Sequence, residues 1–323
     1  MNALMILAAI ILERFPGYPA MMQRHFGHPV QWMGAVVKWM ETRTNLPCWG
    51  PWRRRWAGVL TLFVLLTISG GMTALIVRSL SPVPYNWLCE ALIASAFLAQ
   101  TQLGRMVRAV ADGLDVSLVK GREAVSHIVG RDVSHLDQAE ISRAAIETLA
   151  ENASDGVIAP LFWLALFGLP GIVLYKAINT ADSMIGHLDE RYKDFGWASA
   201  KCDDLVNWAP ARLTAVLFVL AAYLVPQASV GSGLRVAWRD APKHSSPNAG
   251  WPEAAMAGAL SFGLGGPRAY GGRVLDLPVM GTGQRCLESQ DIRRALHLYR
   301  CAIFLVTGVA AIAALSGFSW IPT

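Results

Sequence analysis

AGVLTLFVLLTISGGMTALIVR, residues 57–78, decides the fold class of this chain. No charged side chain interrupts it before Arg78. An α-helix of about 20 apolar residues crosses the hydrocarbon core of a bilayer. The whole composition points the same way. The chain has 323 residues, 54% of them hydrophobic and 16% charged, with a mean hydropathy of +0.37. Soluble domains average roughly a quarter charged residues. Working outward, YNWLCEALIASAFLAQTQL (85–103) is a second near-continuous apolar run, broken only by Glu90. The turn before it carries two prolines, so the two runs read as a hairpin. Residues 156–178 are apolar but interrupted by Gly168, Pro170 and Gly171, which predicts a kinked span or a re-entrant pair of half-helices. Residues 210–228 and 299–320 are further spans. The apolar start, 1–12, ends at Glu13 and lacks a basic lead and a small-residue cleavage site, so it reads as a retained helix.

The expected fold is therefore all-α: a polytopic integral membrane protein with about 4–6 membrane helices, one re-entrant or broken, plus cytoplasmic helical loops. Residues 1–323 read as one membrane-embedded catalytic domain, with 104–155 and 230–298 as cytoplasmic loop regions. The net charge is +5, but the basic residues flank apolar runs and form no stripe interleaved with aromatics, which argues against a nucleic-acid partner. Lys and Arg number seven in 13–56, six in 104–155 and eight in 230–298, against none in 79–84 and three in 179–208. The positive-inside rule puts the first three in the cytoplasm and, taken literally, 179–208 outside. The five cysteines form no CxxC pair, which argues against a disulfide framework or a structural zinc.

The loops carry local signals. Residues 101–126 read as a helical hairpin turning near Asp112–Asp115. Asp137 and Glu140 form a capping box, so a helix from about 138 to 153 follows. The 230–298 region reads as Gly/Pro-rich loops around one short helix, Glu253 to Phe262.

Between the apolar runs lies a polar segment: ETLAENASDGVIAPLFW (147–163), KAINTADSMIGH (176–187) and KCDDLVNWAPARL (201–213). Carboxylates and amides this dense beside apolar spans are costly unless a metal, phosphate or polar substrate pairs with them. Glu147, Glu151 and Asp155 are spaced i, i+4, i+8, one face of a helix that extends that far. Repelling charges held there suggest a cation, and hard oxygen ligands suit Mg²⁺. A solvated acidic face is the competing reading. Lys176, Asn179 and Ser183 share a helix face with Asp182 near it. Lys176 suits a phosphate and Asp182 a metal, or the lysine merely snorkels to an interface. In Asp203-Asp204-x-x-Asn207, Asp204 and Asn207 are in reach of each other, and Asp203 is a ligand or an N-cap. Arg212 heads the next span as a phosphate clamp or a membrane-edge anchor. His28 and His244 lie in loop elements, and each is a phosphate contact, a base or a structural histidine. The glycine-rich stretch ending in LGGP (264–267) is neither a Walker A loop nor a GxGxxG fingerprint.

Seven blocks in order carry a resemblance: HPVQWMG (28–34), RDVSHLD (131–137), the 147–163 stretch, YKAINTADSMIGH (175–187), YKDFGWASAKCDDLVNWAPARLTA (192–215), HSSPNAGWPEAAMAGAL (244–260) and LGGPRAYGG (264–272). Together they resemble the CbiB/CobD family of cobalamin biosynthesis over nearly the whole chain. One departure is N-terminal. Where many members carry an aspartate and a Gly-Asp-Pro, this chain has Glu13, Pro16 and Gly17-Tyr18-Pro19.

The resemblance implies a multi-pass enzyme of the cell inner membrane, an adenosylcobinamide-phosphate synthase with its active site on the cytoplasmic side. Such an enzyme joins adenosylcobyric acid, a corrinoid, to aminopropanol or its O-phosphate in an amide, with ATP as cosubstrate and Mg²⁺ as cofactor. Other cobalamin-assembly enzymes are then expected partners beside the lipid bilayer. In that setting Glu147, Glu151, Asp155, Asp182 and Asp203 are candidate Mg²⁺ ligands. Lys176, Lys201 and Arg212 are candidate phosphate clamps, and His244 or His28 a base. Asn152, Asn179, Asn207 and Asn248 are candidate substrate contacts. Two other readings stand: a Mg²⁺-dependent polytopic transferase acting on a diphosphate, and a non-catalytic sensor like the AmpE proteins. A cytoplasmic site also demands that 156–178 not simply cross the bilayer, because a straight span would part Glu151 from Asp182 by about 30 Å.

Overall fold

The computed structural model describes residues 3–15, 27–130, 132–270, 273–275 and 277–316. Glu13 falls inside that range, whereas the departures at 16–19, Arg131, Gly271–Gly272 and the end of the 299–320 run lie outside it. The helices, in chain order, are α1 (Ala3–Arg14), α2 (Pro29–Thr44), α3 (Pro51–Leu80), α4 (Asn86–Ser95), α5 (Gln100–Val116), α6 (Leu118–Ser126) and α7 (Gln138–Ala153). A π-turn (Ser154–Ile158) leads into α8 (Ala159–Ile185), followed by α9 (Trp197–Val206), α10 (Trp208–Ala221), α11 (Val230–Asp240), α12 (Gly250–Leu260) and α13 (Ser289–Leu315). Strand, among the described residues, is confined to short antiparallel pairs: Leu264–Gly265 with Val279–Met280, and Arg268–Tyr270 with Arg273–Leu275.

Among the described residues three helical runs are long and apolar enough to cross a membrane: Pro51–Leu80, Gln138–Ile185 and Ser289–Leu315. The bent pair α9–α10, taken as one span, makes a fourth. The protein is thus an all-α membrane protein. Its membrane character shows in α3, where Leu62, Leu65, Ser69 and Thr73 are buried while Phe63, Met72 and Leu75 are exposed. In lipid the apolar side faces out, and small or hydroxylated residues let helices approach. The hydroxyls of Thr61 and Thr73 donate to carbonyls one turn back, 2.8 and 2.7 Å away.

The expected span at 85–103 is corrected. α4 ends at Ser95 and α5 begins at Gln100, so α4 is only about 15 Å long. The break buries Phe97 and Leu98, and α5 then shows an amphipathic stripe with Leu103, Val107, Val110 and Ala111 inward. The expected 210–228 span is also shorter: α10 ends at Ala221 and a single 3₁₀ turn carries the chain to Leu224. The turn between α5 and α6 falls at Ser117, just beyond the expected Asp112–Asp115, because the Ser117 hydroxyl caps α6. α7 starts as expected. Asp137 accepts from Glu140 N at 2.8 Å, and Glu140 accepts from Asp137 N at 2.9 Å. The 230–298 region holds two helices before residue 289 where one was expected. Gly231 and Gly233 disguise α11, yet Ser229 caps it and Gly233, Val236, Ala237 and Asp240 form its buried face.

By backbone contacts the chain divides into two compact units. The first comprises Met1–Ala99, Ala159–Asn207 and Ala310–Thr323, the second Gln100–Ile158 and Trp208–Val309. In the first unit α8 packs against α2, α3, α4 and α9, and it is not straight. Gly168 sits at φ 67, ψ −154. A Cβ on Gly171 would collide with the Trp163 carbonyl oxygen, although residues eight apart in a straight helix are about 12 Å apart. Pro170 supplies no amide donor to mend the break. The interrupted segment is therefore a broken span, as Gly168, Pro170 and Gly171 suggested. In the second unit α12 is buried nearly all round and packs against α10 and α11.

Candidate functional site

The turn at Gly168 lets both halves of α8 meet the end of α9. Trp163 Nε1 donates to the Val206 carbonyl (3.1 Å), and the Tyr175 hydroxyl donates to Asn207 Oδ1 (2.9 Å). From Asn207 a polar chain continues. Its Nδ2 donates to Asp203 Oδ2 at 2.9 Å, and Asn179 Nδ2 donates to Asp203 Oδ1 at 3.4 Å. Lys176 Nζ donates to Asn179 Oδ1 at 3.1 Å. Tyr175 and Asn207 are buried, while Lys176, Asn179 and Asp203 are half-buried. Each Asp203 oxygen thus has an amide donor, and each asparagine is oriented from both ends. Such a network rigidifies its members and fixes where the lysine charge sits.

His28 borders this network. It N-caps α2, its Nδ1 accepting from Val30 N at 3.3 Å while Gln31 Oε1 accepts from His28 N at 2.9 Å. Burial pushes its imidazole below the ordinary histidine value. A hydrogen bond with the Ala96 backbone opposes this, and the Lys176 charge adds to it. His28 is therefore held neutral beside a lysine. Asp182 follows Asn179 by three residues on α8 and folds over Gly186, where a Cβ would collide with Asp182 Oδ1. Lys201 stands apart from the network. Its Nζ is 3.4 Å from Asp204 Oδ2 in a solvent-facing pair.

The second unit holds the other candidates. Glu147 is buried on α7 and accepts from Gly265 N at 2.6 Å. Glu151 is exposed, and Asn152 Nδ2 turns back to the Thr148 carbonyl at 3.0 Å. The π-turn, with more residues per turn, takes Asp155 off the regular helical register that was to align it with Glu147 and Glu151. Among the described residues no group of three or more His, Cys, Asp or Glu side chains comes together to hold a metal ion. His244 Nδ1 accepts from Ser246 N at 3.0 Å, and its Nε2 lies 3.7 Å from Glu253 Oε1. Asn248 is buried in the same turn. Arg212 is held between aromatic rings: its guanidinium carbon is 4.3 Å from the Trp208 ring centre and 4.7 Å from that of Trp251.

The structure thus unites Lys176, Asn179, Asp203 and Asn207, with His28 at the edge. Two partners escaped the sequence reading. Tyr175 read as one more member of its apolar run, although a hydroxyl one residue before Lys176 was a signal. Glu253 read only as a helix start.

A helical membrane protein with a Tyr–Asn–Asp–Asn–Lys network beside a broken span is the class these features define. The family model described as CobD/Cbib protein matches residues 6–299, and the chain belongs to that family. "Cobalamin biosynthesis protein CobD" of Brucella suis biovar 1 is 45% identical over 314 residues, covering 96% of each chain. The proteins of the same name from Rhodobacter capsulatus and Rhizobium meliloti are 45% and 43% identical. The alignments cover 96% of this chain and 98% of the first relative, and 97% of this chain and 97% of the second. No solved structure matches. Membership places this protein in cobalamin biosynthesis.

Proposed function

We propose that this protein is the amide-forming ligase of the pathway. It joins the propionate carboxylate of adenosylcobyric acid to the amine of aminopropanol, or of aminopropanol O-phosphate, in a reaction driven by ATP, giving adenosylcobinamide or its phosphate. The observation that carries this reading is the network ending at Lys176, with a neutral histidine beside it.

A carboxylate and an ammonium ion do not condense in water unaided. The carboxylate must first gain a leaving group, most simply as an acyl phosphate, and the ammonium must lose a proton. Lys176, fixed by Asn179, supplies a positive charge for the phosphate oxygens as negative charge builds on them. His28 is uncharged near neutral pH, the form a base needs, and its one lone pair, on Nδ1, must leave the Val30 amide to take the amine proton. Asn179 is oriented by Asp203 at a half-buried position, and buried Asn207 holds Asp203 in place. Asp182 adds a carboxylate about one turn beyond Asn179. Mg²⁺ would enter with the nucleotide, held mainly by its phosphates and by one or two carboxylates such as Asp182, and would neutralise phosphate charge. The reaction belongs on the cytoplasmic side of the inner membrane, where ATP is available.

The test is genetic. A strain lacking its own corrinoid amidation step should regain adenosylcobinamide formation with the wild-type gene and fail with Lys176→Ala expressed at equal level. Rescue by neither contradicts the reading and favours a non-catalytic role. Rescue by both removes Lys176 from the site.

A further inference from the structure

The head of α10 carries a cation with which no carboxylate pairs among the described residues. Arg212 Nη1 donates to the Trp208 carbonyl at 2.7 Å, and its guanidinium is clasped between the rings of Trp208 and Trp251. Trp251 in turn meets Trp238 of α11 edge-on, with ring centres 5.8 Å apart. The outer members of this row are open: Trp208 is 56% and Trp238 74% exposed. α11 lies along α10, since a Cβ on Gly233 would touch the Val219 side chain at 3.3 Å. Beyond the row, Leu213, Val216 and Leu220 form an exposed apolar stripe on α10 at i, i+3, i+7. Arg235, three residues before Trp238 on α11, is exposed as well.

Each part fits a different depth of a bilayer. Indoles settle at headgroup level, apolar stripes face acyl chains, and a guanidinium matches the oxygens of a phosphate. Stacking on two rings holds the guanidinium in place before any ligand arrives. We propose that Trp208, Arg212, Trp238 and Trp251 form a binding site for the phosphate headgroup of an anionic phospholipid, with its acyl chains on the Leu213–Val216–Leu220 stripe. A soluble phosphate would leave that stripe uncovered, so lipid is the occupant that satisfies both halves. This assigns Arg212 to the membrane rather than to the reacting phosphate, and it does not depend on the amide-ligase reading.

The experiment is native mass spectrometry of the purified protein with phosphatidylglycerol against phosphatidylcholine of the same chains. Wild type should retain phosphatidylglycerol preferentially, and Arg212→Gln should lose about fivefold of that preference, the scale of one arginine near an anionic surface. If Arg212→Gln proves misfolded by thermal melting, Trp238→Leu carries the test, because Trp238 is largely exposed; its lipid retention should fall at unchanged melting temperature. Equal binding of the two lipids by wild type, or an unchanged preference in folded variants, overturns the proposal. So does displacement of the bound lipid by millimolar inorganic phosphate or ATP, which would mark a site for soluble phosphate instead.

Discussion

At the scale of single residues, the proposed chemistry rests on Lys176 and the groups that aim it. Lys176→Ala should lower kcat by about a hundredfold, the usual cost of losing one fixed electrostatic donor, with little change in melting temperature. Tyr175→Phe keeps the ring but strips a donor from Asn207, so it should cost about 1 kcal/mol of stability and a smaller loss of rate. Chemical or thermal melts and a turnover assay separate the two. His28 adds a pH dependence. Its folded-state value lies below that of the unfolded chain, so its contribution to stability is complete above about pH 6.5 and is lost as pH falls from there through the depressed value. Melting temperatures between about pH 7.5 and about pH 5 should fall more steeply for wild type than for His28→Gln. Lys176, Asn179, Asp203 and Asn207 were each legible as candidates in the sequence because polar groups beside apolar runs must find partners, but the spacing paired Asn207 with Asp204 and the structure pairs it with Asp203. Their pairing was not legible, because Asp203 meets Asn179 across two helices rather than along one. The partner of Glu147 stayed hidden for a related reason: it is a backbone amide 118 residues away.

At the scale of elements, α8 is the decisive piece. The sequence marked its break through Gly168, Pro170 and Gly171, since each weakens a helix in a recognisable way. Gly168→Ala should therefore destabilise the protein by about 1–3 kcal/mol in a thermal or chemical melt, because φ 67 with ψ −154 is a region that side-chain-bearing residues avoid. Gly186→Ala is a sharper probe of Asp182. Its methyl would displace the Asp182 carboxylate and also press on the Asp182 carbonyl oxygen, so turnover and melting temperature should both fall. The apolar run at 85–103 misled because composition alone cannot tell a membrane helix from a short helix followed by a break. α11 went unseen because its two glycines lower helix propensity, and burial against α12 overrides that. The Asp137–Glu140 box, by contrast, is a local signal and located α7 to the residue.

At the scale of the whole molecule, the membrane fold followed from composition and from long uncharged runs, which leave little choice of architecture in lipid. A literal count of basic residues puts 179–208 outside, whereas the proposed reaction needs it on the cytoplasmic side. Leu188 lies in the exposed loop after α8. In a cysteine-free background, Leu188→Cys should react with an impermeant maleimide only from the cytoplasmic side. Labelling from the outside would separate the Lys176 network from cytoplasmic ATP. The central claim, that this protein forms the corrinoid amide, is tested most directly in a purified system. The protein in lipid nanodiscs would be given adenosylcobyric acid, ATP, Mg²⁺ and either aminopropanol or its O-phosphate, with products followed by mass spectrometry. Adenosylcobinamide or its phosphate should form in step with ATP cleavage, and about a hundredfold more slowly with Lys176→Ala. No amide from either amine, with the protein folded and lipid-bound, would contradict the claim.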